Sequence, residues 1–112
     1  MPAKKKKPRF TPKKEPSLES QLNARVKQYE RITREGMEKI EIRAKKGTRE
    51  YLIALDYLSM AKNYYSDAGH FATNGNLILA LAAYSYAHAW MDAGVRAGIL
   101  DGKEDDRLFT LP

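Results

Sequence analysis

Four polar residues in an otherwise apolar stretch have types and spacing that could do chemistry. Ser85, His88, Asp92 and Arg96 step by three, four and four, which places them on one face of a helix. On such a face His88 could act as a general base, Asp92 could orient its ring, and Arg96 could bind an anion. The same spacing also suits a narrow solvent-facing stripe, with Asp92 and Arg96 as an i,i+4 ion pair. Asp67 and His70, three apart on a preceding helical stretch, could join His88 and Asp92 around a metal. Those two histidines are the only ones in the chain, they follow no recognised ligand spacing, and helix-end polarity explains them without a metal. No metal, no cofactor and no catalytic residue is therefore expected. The chain has no cysteine, which removes thiol nucleophiles, thiolate zinc sites and disulfides from consideration.

A different chemistry is concentrated at the N-terminus. Lys4, Lys5, Lys6, Lys7, Arg9, Lys13 and Lys14 fall within residues 1–14, and that segment holds no acid. Of the 20 Lys and Arg in the chain, seven lie there; the other thirteen face fourteen acids, so the remainder carries about −1 of the total +6. The basic character belongs to an arm and not to a body. Each cation that neutralises a phosphate releases counterions, so a cluster of this kind binds nucleic acid without reading its sequence. Phe10 could stack on a base. Pro2, Pro8, Pro12 and Pro16 deny the arm helical hydrogen bonds, and with one large apolar residue it is expected to be disordered when free. The bland alternative is a solubilising tail.

The rest of the chain reads as helices. Ser17 caps a first helix whose apolar residues Leu18, Leu22, Val26, Tyr29, Ile32, Met37, Ile40 and Ala44 recur at three-to-five-residue steps, and Lys45-Lys46-Gly47 forms its stop. Gly36 is expected to loosen it midway. Thr48 caps a second helix with Leu55, Leu58, Ala61, Tyr65, Ala68 and Ala72 on one face and Tyr57, Tyr64 and Phe71 on a line beside it. Asn74-Gly75-Asn76 turns the chain into a third, alanine-rich helix ending at Gly98. That helix is apolar on most faces and should be the central one. The predicted architecture is all-α: an antiparallel bundle of three helices at about 17–46, 48–74 and 76–97. The arm occupies 1–16, the bundle domain 17–112, and a short C-terminal tail packs back through Leu108, Phe109 and Leu111. No period-two strand pattern is present. The apolar stretch 77–97 contains His88, Asp92 and Arg96, which a lipid-facing helix would tolerate poorly. No apolar run follows the basic N-terminus. A soluble, cytoplasmic protein without a membrane partner is expected. The seven tyrosines could supply a stacking platform, but helical spacing makes most of them core or core-rim residues.

Two resemblances add to this reading. The runs Ala61-Lys62-Asn63-Tyr64-Tyr65-Ser66-Asp67-Ala68 and Ala80-Leu81-Ala82-Ala83-Tyr84-Ser85-Tyr86-Ala87, with Phe71 and Gly75 between them and Ala89-Trp90-Met91-Asp92-Ala93-Gly94 after them, resemble the archaeal family called domain of unknown function 357. The likeness runs from about Leu18 to Leu111, including Leu108-Phe109. It implies a helical bundle and an archaeal source, and no established activity. The arm lies outside it. Gly75-Asn76-Leu77, Ala80-Leu81, Tyr84 and Ala87 are also similar to the turn and second helix of a tetratricopeptide-type hairpin, although no repeat of about 34 residues is present.

The expectation is a non-catalytic RNA-binding protein, associated with the ribosome and anchored by Lys4, Lys5, Lys6, Lys7, Arg9, Phe10, Lys13 and Lys14. RNA is favoured over DNA because short Pro- and Lys-rich arms on small bodies suit threading between RNA helices and order on contact. The alternative is a protein-interaction or self-association module working through the helical hairpin.

Overall fold

The fold was obtained as a computed structural model, and it describes residues 15–112. The arm residues Lys4, Lys5, Lys6, Lys7, Arg9, Phe10, Lys13 and Lys14 lie outside the described residues.

Each helix begins where a side chain can satisfy the free backbone N–H groups of a first turn. Ser17 accepts from the Ser20 amide at the start of α1 (Leu18–Lys39). Thr48 accepts from Tyr51 at the start of α2 (Arg49–Thr73). Asn76 accepts from Leu79 at the start of α3 (Leu77–Arg96). The ends of α2 and α3 share one mechanism. Gly75 takes φ of +77°, its amide bonds to the Ala72 carbonyl and the next amide, Asn76, to Phe71. At the end of α3, Gly98 bonds to Val95 and Ile99 to Gly94 in the same pattern. This Schellman arrangement satisfies the last carbonyls and needs a left-handed residue at its centre, which glycine supplies at least cost.

The three-helix bundle is as expected, with α3 lying against both α1 and α2, which touch each other far less. The first helix is shorter than its pattern predicts. It stops at Lys39 instead of continuing to 46, and Ile40 is extended. The reason is tertiary. Glu41–Ile42 (β1) pairs antiparallel with Leu100–Asp101 (β2), with Glu41 opposite Asp101 and Ile42 opposite Leu100. The amides of Arg43 and Ala44 also donate to the Ile99 carbonyl. The segment after α3 thus takes over hydrogen bonds that a continued helix would have made internally. Gly36 does not loosen α1. It provides close approach, because a Cβ there would lie 3.1 Å from the Met91 methyl and 3.3 Å from the Phe109 ring.

The deepest side chains of α2 are Ala54, Ala61 and Ala68, seven apart and fully buried, so α3 packs close to the α2 backbone. Ala61 and Ala68 belong to the predicted face, but at its start Ala54 is buried in place of Leu55, which is left 44% exposed. Two cores result. Near the chain's C-terminal end, Ile40, Ala61, Met91, Val95, Leu100, Leu108 and Phe109 pack together. Towards the α2–α3 turn, Val26, Ala68, Ala80, Ala83 and Tyr84 form the other. The tail packs back as expected, burying Leu108 and Phe109. No helix among the described residues is long and apolar enough to cross a membrane.

Candidate functional site

The four polar residues of α3 are not one exposed stripe. His88 is 8% exposed and Thr33 of α1 is fully buried beside it. The His88 Nε2 faces the carbonyl oxygen of Leu108, which can only accept. Nε2 therefore donates, and Nδ1 is hydrogen-bonded to the Thr33 hydroxyl at 3.2 Å. Both ring nitrogens are engaged, so the imidazole joins α1, α3 and the tail. The expected solvent face is corrected at this position: His88 is buried against α1 and the tail.

Asp92 continues the same contact. It lies half-buried, with its Oδ1 accepting from the Thr110 amide at 2.9 Å and its Oδ2 near the Thr110 hydroxyl at 3.4 Å. Its distance to His88 Nε2 is 4.0 Å. Arg96 donates to the Leu111 carbonyl at 2.9 Å, so the tail carbonyl holds the guanidinium that the i,i+4 reading gives to Asp92. Ser85 is exposed and donates to the Leu81 carbonyl one turn back. Three of the four predicted residues are thus brought together, but by the tail. Asp67 and His70 are exposed on α2, and among the described residues no cluster of His, Asp and Glu could hold a metal.

The tail also carries charge contacts that sequence spacing does not reveal. Asp105 takes Lys39 Nζ at 2.7 Å and accepts from the amides of Arg107 and Leu108. The hydrogen bond from Lys39, then those amides, hold its carboxyl below the ordinary value. Arg107 reaches Glu35 at 2.8 Å and holds that carboxyl low in the same way. Lys103 bridges Glu41 and Asp101, closing the β1–β2 end.

On the opposite side of α1, Glu30 receives Arg34 Nε at 2.9 Å and the Tyr65 hydroxyl at 2.6 Å. The Arg34 hydrogen bond lowers the Glu30 carboxyl, with Tyr65 adding to it. Burial, followed by the hydrogen bond to Glu30, pushes the Tyr65 phenol up to about 12. Tyr84, edge-on to Tyr65 at 5.5 Å, is raised by burial. These two rings pack against each other, and the Tyr65 hydroxyl is tied to Glu30. Tyr57 is edge-on to Trp90 and Tyr64 edge-on to Tyr86. Of these, Tyr86 presents the most surface, at 49%. The Trp90 indole N–H is buried without an acceptor among the described residues.

The outer face of α1 is basic in sequence but largely neutralised in space. Arg31, Arg34, Lys39 and Arg43 all sit against carboxylates, leaving, among the described residues, Arg25 and Lys27 on the helix and Lys45, Lys46 and Arg49 beyond it exposed outside ion pairs. With thirteen basic and fourteen acidic residues, the folded body carries a net charge of about −1.

Three helices packed about α3, with His88 and Asp92 holding the C-terminal segment, define a small all-α bundle. The family model described as "Protein of unknown function (DUF357)" matches residues 28–100, and the chain belongs to that family. The match ends before the tail, so Leu108 and Thr110, the partners of His88 and Asp92, lie beyond it, as does the basic arm. No curated protein and no solved structure matches the chain.

Proposed function

We propose that the chain is a non-catalytic RNA-binding protein of the cytoplasm, associated with the ribosome, in which the helical body carries a basic arm. The observation that supports this reading is the segregation of charge. Seven cations and no acid occupy residues 1–14, while six cations of the body are tied to carboxylates. A body that neutralises itself leaves phosphate binding to Lys4–Lys7, Arg9, Lys13 and Lys14, with Phe10 available to a base. The occupancy of both His88 nitrogens supports the non-catalytic part, since a general base needs a free nitrogen within reach of substrate.

The test is a pull-down from native lysate, with and without nuclease, using the full chain and a chain lacking residues 1–16. Co-sedimentation with ribosomes or RNA that is lost on nuclease treatment and on arm deletion is the expected result. Binding that survives arm deletion at physiological salt would overturn it. One observation favours a second reading, protein docking: the exposed surface of α3 carries no charge from Leu77 to Met91.

A further inference from the structure

That uncharged surface is the least explained part of the molecule. Ile78 is 68% exposed, Leu79 45% and Tyr86 49%, and Ala82, Ala89 and Ala93 are exposed with them. Arg96 is the first exposed charge along α3. A lone helix face in water normally carries charge, and a contiguous apolar surface marks an interaction site. Tyr64, Asp67 and Phe71 of α2 form one rim, with Asp67 its single charge, enclosing with Leu79, Ala82 and Tyr86 a cleft of about 380 Å³.

The order of side chains points to the occupant. Leu79, Ala82, Tyr86, Ala89 and Ala93 step by three, four, three and four, the spacing of a helix-packing seam. Large and small residues alternate over the first four. If a second α3 lies antiparallel with its Ala89 opposite Leu79, the same register sets Tyr86 opposite Ala82. Two-fold symmetry repeats both pairs. Both large residues of the seam, Leu79 and Tyr86, then meet an alanine, and Asp67 stays on the α2 rim outside the seam residues. A parallel copy in register would set Tyr86 against Tyr86 and Leu79 against Leu79.

We propose that two copies of this chain pair through α3 in this antiparallel register, with the α2 rims flanking the seam. The size is adequate. The stretch from Ile78 to Ala93 is about 22 Å long at 1.5 Å per residue, and with the neighbouring helix about 9 Å away the face has a projected footprint on the order of 500 Å². A specific interface uses roughly 800 Å² of accessible surface per partner, and accessible surface on a corrugated helix face exceeds its projection. The pairing is independent of RNA binding, but it would give one particle two basic arms and hence bivalent attachment.

Light scattering and sedimentation of the full chain, from low micromolar to near-millimolar, provide the test. The expected species has twice the 12.8 kDa mass of one chain. Ala82→Glu and Ala89→Glu, both at exposed helical positions, should each raise the dissociation constant at least tenfold with unchanged circular dichroism and melting temperature; Ser85→Ala should not. Because the chain has no cysteine, a mixture of Leu79→Cys and Ala89→Cys proteins reports the register. The mixed disulfide should form faster than either homodisulfide. A monomer at every concentration would overturn the proposal, including one whose Ala89→Glu variant loses a different protein partner. So would a dimer indifferent to both glutamates, or preferential Leu79→Cys homodisulfides.

Discussion

The His88 imidazole donates from Nε2 to the carbonyl of Leu108, twenty residues further along the chain, and so latches the C-terminal segment to the middle of α3. The contact draws Thr33 in from α1 through the other ring nitrogen. One side chain therefore ties together three segments that have no other buried polar link among the described residues.

Removing either partner of this latch should cost stability in a defined way. Thr33→Val keeps the shape and deletes the hydroxyl, leaving Nδ1 without a partner, so a loss of about 1–2 kcal/mol is expected. His88→Ala deletes both bonds and opens a cavity, for a loss of about 2–4 kcal/mol. Urea denaturation measures both. Equal stability of Thr33→Val and the unchanged chain would show that the hydroxyl contributes nothing.

Two glycines in close contacts should respond differently to alanine. At Gly94 a Cβ would lie 2.2 Å from Leu100 Cδ1 and 2.6 Å from its Cγ, and Leu100 is 1% exposed with no room to retreat. Gly94→Ala should destabilise by about 1–3 kcal/mol. At Gly36 the nearest atom is the flexible Met91 methyl at 3.1 Å, and alanine gains roughly 1 kcal/mol of helix propensity over glycine. Gly36→Ala should be close to neutral. Thermal melts of the two variants, compared in one buffer, test the contrast.

Stability should fall at both pH extremes for named reasons. Glu30, Glu35, Asp101 and Asp105 are all lowered in the folded protein from ordinary values of 4.5 for Glu and 3.8 for Asp. The unfolded chain takes up those protons first. Their stabilisation is present above the ordinary values and is lost as pH drops below them. Tyr65 works in the opposite sense. Its folded value of about 12 exceeds the ordinary 10, so its contribution is complete below pH 10 and disappears as pH rises to about 12. Tyr65→Phe should flatten the alkaline decline in melting temperature without altering the acid limb beyond the part that Glu30 supplies. An unchanged alkaline slope in that variant would remove Tyr65 as its cause.

If the arm neutralises phosphates, its affinity for single-stranded RNA should fall with salt at a logarithmic slope of about −5, from seven cations at about 0.7 each. Exchanging Lys4, Lys5, Lys6 and Lys7 for Gln should reduce that slope by more than half. Lys45→Gln and Lys46→Gln, on the body, should leave it nearly unchanged. Fluorescence anisotropy over a salt series reads all three.

By itself the sequence determined the helices, their caps and the charge division. Ser17, Thr48, Asn76 and the Gly75 and Gly98 stops act within one turn of their own backbone, so their meaning does not wait for distant partners. The segregation of seven cations into the arm is likewise a property of order along the chain. Only the tertiary structure decided where α1 ends, because Ile40 fits a helical stripe until Leu100 and Asp101 offer its neighbours a strand. It alone decided the role of His88. A histidine on a helix reads the same whether water or Thr33 and the Leu108 carbonyl meet its nitrogens, and those partners come from 55 and 20 residues away. Local spacing fixes which residues share a face; only packing fixes what that face meets.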